Sequence, residues 1–160
     1  MKLSLVAVGR LKDGPERTLF DRYRDRSASL AKGLGVKDLT VIEIPESRAG
    51  SPGQRQSEEG EALLKRVGST DYCIAFDERG KDLTSQQFAK LVARERDAGR
   101  ADAFFIIGGA DGLSEAVRTR ANVILSFGSM TLPHQIVRIL VAEQIYRTLT
   151  ILAGHPYHKP

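Results

Sequence analysis

The sequence predicts an α/β fold with a mostly parallel sheet and helices on both faces. Three observations carry that prediction. Five short strand-like stretches alternate with five helical periods from end to end. One of the stretches, "DAFFIIGG", is apolar at nearly every position, which is how a strand covered on both faces reads. A chain of 160 residues with 41% hydrophobic content is long enough for one core and too short for two comfortable ones, so residues 1–160 are expected to form a single domain.

The elements follow in order. "KLSLVAV" is the first strand, and a helix from about Pro15 follows, with Leu19, Tyr23 and Leu30 at near-helical spacing. "LTVIEIP" is the second strand, "ESRAGSPGQ" a loop and "RQSEEGEALLKRV" the second helix. "DYCIAF" is a third strand, which the turn "DERGK" is expected to close. In "TSQQFAKLVARERDAG", Thr84 is placed to cap the third helix and Gly99 to stop it. After the fourth strand a short helix starts beyond Gly112. "NVILSF" is the fifth strand, and Pro133 falls in the first turn of the last helix.

Composition excludes several classes of protein. Arg138 and Glu143 interrupt the best apolar run before it reaches the roughly 18 to 20 residues of a membrane helix. The opening "MKLSLVAVGR" has only a seven-residue apolar stretch and no small-residue cleavage site, so it reads as a strand and a cytoplasmic location is expected. The single Cys73, inside "DYCIAF", reads as a buried strand residue, since apolar surroundings raise a thiol pKa and disfavour a nucleophile. With 24 Lys and Arg against 20 Asp and Glu, the net charge of +4 is compatible with RNA without establishing it. The arginines of "PERTLFDRYRDR" are interleaved with Asp21 and Asp25, as on a solvated helix face. His134, His155 and His158 come without ligand spacing of any known kind, and no metal is expected.

In a parallel sheet, ligands sit outside the carboxyl ends of the strands. The segments to search are therefore "FDERGK", "GGADG" and "SFGSMTLPH". In "IIGGADG", Gly108, Gly109 and Gly112 permit a tight turn and close approach of a ligand, although a purely structural turn reads the same way. Their spacing is not that of the dinucleotide fingerprint. "SFGSMTLP" leaves backbone N–H and C=O groups free for something flat and polar, such as an adenine edge, and an ordinary loop is the alternative.

The last helix is apolar almost all round, with Val137, Leu140, Val141 and Ile145 on one side and Ile136, Ile139 and Tyr146 on others. Such a helix needs cover on more than one side, and a second copy of the chain is the natural second cover. His134 and Arg138 share one face, while Glu143 and Arg147 share a roughly opposite one and suit an ion pair.

"VAVGRLK", "IGGADG", "SFGSMTLPHQIVRILVAEQIYR" and "GHPYHK" together closely resemble the RlmH (YbeA-like) family of the SPOUT superfamily, in motif order and spacing and over the whole chain. That resemblance implies a homodimer with a C-terminal trefoil knot, which periodicity alone would argue against. It also implies an S-adenosyl-L-methionine-dependent methyltransferase acting on N3 of a pseudouridine in 23S rRNA within the large ribosomal subunit.

Carried over by position, the cofactor contacts are Phe76, Gly108, Phe127, Gly128, Ser129, Met130, Thr131 and Leu132; Phe76 departs from the leucine common at its place. His158 is the candidate general base, since a histidine near its ordinary pKa of about 6.5 can accept a proton at neutral pH. Tyr157 is expected beside it, with Arg138 and Lys159 holding phosphate or the developing oxyanion. The alternative is that His158 and Tyr157 only stack on or anchor RNA. Rival functions are a cofactor-free RNA-binding or ribosome assembly factor, an ordinary doubly wound nucleotide-binding protein, and a SPOUT ribose methyltransferase acting on another RNA. Binding of S-adenosylmethionine separates the first two from a methyltransferase.

Overall fold

The computed structural model describes residues 1–159, so the part of the tail at Pro160 lies outside it. Ten elements alternate in the order expected: β1 (Lys2–Val8), α1 (Pro15–Ala31), β2 (Leu39–Ile44), α2 (Pro52–Leu64), β3 (Tyr72–Lys81), α3 (Ser85–Asp97), β4 (Asp102–Ile107), α4 (Glu115–Arg120), β5 (Val123–Leu125) and α5 (His134–Leu152). The five strands form one sheet in the order β2-β1-β4-β3-β5, and every pairing is parallel.

Alternation along the strands builds two cores. Leu3, Leu5 and Ala7 of β1, Ile74 and Phe76 of β3, and Phe105 and Ile107 of β4 face one side. There they meet Phe20 of α1, Phe88 of α3 and Ile139, Val141 and Ile145 of α5. Val6, Val8, Cys73, Ala75, Phe104 and Ile106 face the other side, against Leu63 of α2 and Val117 of α4. Cys73 is the buried strand residue expected, and burial pushes its thiol up to about 11. Because β1, β4 and the first half of β3 are buried on both faces, a one-residue slip in their register would exchange the two sets of apolar side chains.

Local signals explain most element ends. Thr84 and Gln87 form a reciprocal capping box at the start of α3, and Gly99 beyond its end has φ +80°, which favours glycine. Three boundaries differ from expectation. The second helix begins at Pro52 within the expected loop, because Ser51 accepts a hydrogen bond from the Gln54 N–H and Pro52 takes the first helical position. Pro133 occupies the cap position, one residue before α5.

The third difference matters most. "DERGK" is no turn: β3 continues to Lys81, and its far half runs beside β5 with a shift in register between Phe76 and Lys81. Gly80 permits this. A Cβ there would lie 2.5 Å from the Leu125 carbonyl carbon and 2.8 Å from that of Ile124. Two backbones therefore pass at a separation that only glycine allows.

α5 lies between α1 and α3 over the sheet, so most of its apolar surface is covered by its own chain. Ile139, Val141, Ala142, Ile145, Tyr146 and Leu149 are buried. Ile136 is exposed and Leu140 and Ile151 are half-buried, on the same strip as Glu143 and Arg147. The surface left for a second copy is thus one strip, narrower than the helix pattern alone suggests.

Gly80→Ala is expected to destabilise the fold by at least about 2 kcal/mol, since its methyl meets backbone that cannot step aside. Gly53→Ala, in α2 with open space around it, is expected to stabilise by about 0.5 kcal/mol. Urea unfolding of the two variants checks both signs.

Candidate functional site

The carboxyl ends of β3, β4 and β5 open into a cleft of about 320 Å³. The glycine turn after β4 forms one lip. Gly112, at φ +81°, folds its N–H back to the Gly109 carbonyl at 3.0 Å. A Cβ on Gly108 would lie 2.9 Å from Gly112 backbone atoms, so this lip has no room for a side chain. The turn is held from α2: Arg55 donates twice to the Asp111 carboxylate, at 2.7 and 3.2 Å, and Gln56 donates to the Asp111 carbonyl at 2.9 Å. The Arg55 guanidinium holds the Asp111 carboxyl below its ordinary range.

The loop between β5 and α5 forms the opposite lip. Ser126 Oγ donates to the Gly128 carbonyl and accepts from its N–H, and Thr131 donates to Glu78 at 3.3 Å. Phe76, at the level where β3 and β5 pair, stacks parallel to Phe127, with centroids 5.2 Å apart and planes within 4°. Met130 is largely exposed, and His134 and Val137 of α5 close the floor.

Of the cofactor residues expected from sequence, Phe76, Gly108, Phe127, Gly128, Met130, Thr131 and Leu132 line this one cleft. Ser129 sits in the same loop without lining it. Asp77, Glu78, Arg79 and Asp111 also line the cleft; Asp77 pairs with Arg79 and Arg118, and Asp111 with Arg55.

Arg138 does not reach the cleft, and its expected role as a phosphate or oxyanion holder is corrected by its surroundings. It is 1% exposed and is the largest fully buried side chain. One guanidinium nitrogen donates to Glu43 at 2.7 Å, and the other donates to the carbonyls of Val8, at 3.0 Å, and Gly9. Glu43 also accepts from the Leu11 N–H at 2.6 Å. Partial burial pushes the Glu43 carboxyl up, and the Arg138 and Leu11 hydrogen bonds more than offset this, leaving it below the ordinary range. Arg138 therefore ties the start of α5 to the carboxyl ends of β1 and β2.

Within one chain the tail also lies away from the cleft. Tyr157 packs edge-on against Tyr146 at 4.7 Å and donates to Glu143 at 3.0 Å, while the Arg147 guanidinium sits 4.8 Å from its ring centre. Burial and the Glu143 carboxylate push the Tyr157 phenol upward. His158 Nδ1 is 3.4 Å from Arg147, and Lys159 is exposed. Glu143 and Arg147 form the expected ion pair, at 2.5 Å. Glu143 is nine residues beyond His134, about 13 Å along the helix.

Sequence reasoning did not assign Glu43, Arg55, Glu59 or Asp111. Glu43 had left a trace as a carboxylate inside the apolar stretch "LTVIEIP". Glu59 is 6% exposed under the glycine turn; one oxygen accepts from the Ser47 N–H at 2.9 Å and the other has no partner. Burial pushes its carboxyl above the ordinary range, the Ser47 hydrogen bond opposes this, and the charges of Asp111 and Glu46 add to it.

A parallel sheet with a cleft outside its carboxyl ends, glycine on one lip and a polar loop on the other, is the arrangement of an α/β ligand-binding enzyme. Residues 1–158 match the family described as "Predicted SPOUT methyltransferase". The chain is 55% identical over 160 residues to ribosomal RNA large subunit methyltransferase H of Methylobacterium radiotolerans, covering 99% of this chain and 98% of the relative. The protein of the same name from Methylorubrum extorquens (strain PA1) is 54% identical over 160 residues, covering 99% and 97%. That from Nitrobacter winogradskyi is 52% identical over 159 residues, covering 99% of each.

The chain belongs to the SPOUT methyltransferase family. It is a methyltransferase that uses a methyl donor, and membership implies the C-terminal trefoil knot. Among the described residues, no helix is long and apolar enough to cross a membrane.

Glu43→Ala leaves the Arg138 charge buried without its partner and is expected to cost about 3 kcal/mol, with the Arg138→Met, Glu43→Ala double variant losing less than the sum of the singles. Urea unfolding of all three variants reads this coupling. For Glu59 the sign is opposite to that of a paired carboxylate. Its folded-state pKa is raised, so its contribution is full below the ordinary glutamate pKa of about 4.3 and is lost as pH rises through the raised value. Glu59→Gln is therefore expected to gain stability relative to the parent between pH 4 and pH 8; a difference independent of pH would contradict it.

Proposed function

We propose that this chain transfers a methyl group from S-adenosyl-L-methionine to N3 of a pseudouridine in 23S rRNA of the large ribosomal subunit, acting as a homodimer in the cytoplasm. The observation that carries the reading is the convergence of "IGGADG" and "SFGSMTLP" with Phe76 on one cleft, in a chain whose relatives carry the name ribosomal RNA large subunit methyltransferase H. No metal takes part.

The cleft fits the donor by shape and charge. Flat apolar rings at Phe76 and Phe127 suit an adenine, and the space beside Gly108 admits backbone-close packing. Glu78, the lining carboxylate without an arginine partner among the described residues, suits a cationic ligand. When bound, the donor supplies an electrophilic methyl on a sulfonium. What remains for the chain is positioning and proton removal. N3 lies between two carbonyls, becomes nucleophilic when its proton leaves, and spreads its charge over both oxygens. His158 takes that proton, an effect of roughly 10² to 10⁴ in rate. Tyr157 anchors the tail to Glu143 and Arg147, and Lys159 holds phosphate.

Because the tail of one chain lies beyond Glu143, His158 reaches a cleft only across a dimer. Tyr157 is anchored to Glu143, on the strip of α5 that includes Ile136, Leu140 and Ile151, and this is the strip a second copy would cover. A two-fold axis along this strip carries the tail to the partner's cleft.

Titration calorimetry with S-adenosylmethionine tests the donor. Metal-independent binding is expected for the parent and none for Gly108→Arg, whose side chain meets the Gly112 backbone. A folded parent that binds nothing at millimolar donor would end the reading. Mixing Gly108→Arg, tail intact, with a chain truncated after Gly154 tests the shared site. Activity on ribosomal particles is expected to return in mixed dimers. No recovery in verified mixed dimers would move His158 from catalysis to RNA anchoring.

A further inference from the structure

The loop that follows β1 carries two cations that the donor cleft does not use. Most arginines of the chain sit beside a carboxylate, as Arg55 does beside Asp111, Arg118 beside Asp77 and Arg138 beside Glu43. Arg10 and Lys12 do not. Both are exposed, and among the described residues neither forms an ion pair or a side-chain hydrogen bond. Asp13 follows in the same loop and Glu46 faces Gly9, yet neither pairs with these two cations.

The backbone beneath them is tied down. Gly9 takes φ +85°, donates its N–H to the Ile44 carbonyl at 2.7 Å and offers its own carbonyl to Arg138. Leu11, between the two cations, is 3% exposed; Glu43 holds its N–H at 2.6 Å and Arg17 holds its carbonyl at 3.0 Å. Leu11 is thus a peg in the core, with a charged side chain in solvent on either side of it. Arg10 and Lys12 are two residues apart, so their Cα atoms are separated by no more than about 7 Å. A ligand that met both would order side chains only, because the loop is already in place.

This peg stands beside the donor cleft. β1 pairs with β4, whose glycine turn is one lip, and paired strands lie about 4.8 Å apart. A Cβ on Gly109 would lie 2.9 Å from Val8 Cγ1, so the end of β1 touches that turn. Arg138 joins Gly9 to the first turns of α5, where His134 and Val137 close the cleft floor. The position of the two cations relative to the cleft is therefore fixed by the fold.

We propose that Arg10 and Lys12 grip the phosphodiester backbone of the rRNA next to the acceptor nucleotide. The proposal rests on the methyl-transfer reading above and names where its substrate is held. A strand that delivers one base to the cleft carries the neighbouring phosphates across the lips. Arg10 can fork onto two phosphate oxygens, and Lys12 supplies a point charge beside it. Contacts of this kind set the register of the strand without reading its sequence, which leaves choice of base to the cleft.

The test compares the full chain with an Arg10→Gln, Lys12→Gln variant. An Arg22→Gln, Arg26→Gln variant is the control for net charge, since both arginines are exposed on α1 without an ion pair among the described residues. Binding to large ribosomal particles is measured over a series of salt concentrations. The loop variant is expected to bind about tenfold more weakly. Its slope of log affinity against log salt is expected to be shallower by about 1.4, the counterions of two single-strand phosphate contacts. In turnover its KM for particles is expected to rise while kcat holds, because these contacts are the same in ground and transition states. Arg10→Lys, Lys12→Arg keeps both charges and is expected to keep the parental slope. Donor affinity by calorimetry is expected at the parental value in every variant. A parental slope in the loop variant, or an equal change in the α1 control, would overturn the proposal. A change seen on particles and absent on protein-free 23S rRNA would overturn it too, and would assign the pair to a ribosomal protein. A parent that methylates no particle yet shows the loop-dependent slope keeps the phosphate grip and loses the methyl-transfer reading.

Discussion

A guanidinium buried at the carboxyl end of the sheet is the interaction on which the site depends. Arg138 arrives from α5 and spends its donors on the carbonyls of Val8 and Gly9 and on Glu43, at the ends of β1 and β2. A buried charge is tolerable only when paired and hydrogen-bonded, so the start of α5 has few other places to go. His134 and Val137, which close the floor of the cleft, lie in the same turn of helix. The loop from Ser126 to Pro133 is consequently anchored at both ends, by β5 and by this buried pin.

The two lips of the cleft are held by different means and to different degrees. The glycine turn has little freedom because Gly108 and Gly112 are in contact through backbone, and the paired hydrogen bonds from Arg55 hold Asp111. The opposite lip has fewer ties, chiefly the Ser126 hydroxyl, the Thr131 to Glu78 bond and the stack of Phe127 on Phe76. A rigid lip facing a more lightly held one suits a site that must admit and release a ligand at each turnover. The phenylalanine at position 76 makes that stack, which an aliphatic side chain would not.

The backbone crossing at Gly80 links fold to site in another way. β3 runs past the point where a turn was expected, and Asp77, Glu78 and Arg79 are thereby carried along the rim. "DERGK" has the composition of a turn, and nothing local distinguishes it from one. Its conformation is set by β5, where Lys81 pairs with Leu125 44 residues further along the chain and the next residue, Ser126, donates its N–H to the Lys81 carbonyl. α2 began early for the converse reason, since a local Ser51 cap and Pro52 outweighed the loop-like composition around them.

What the sequence determined by itself was the alternation of elements, the caps at Thr84 and Gly99, the glycine turn and the polar loop before the last helix. These depend on interactions within a few residues, and periodicity records them directly. The opposite placement of His134 with Arg138 and of Glu143 with Arg147 was legible too, because helix geometry is local. Tertiary structure alone decided what each face meets: Arg138 a carboxylate 95 residues away, Gln144 a serine 59 residues away, and the outer strip of α5 open surface. A polar side chain on an apolar helix has the same spacing whether it binds a substrate or holds two strands together. Only the packing of distant segments, which sets burial and the available partners, tells the two apart.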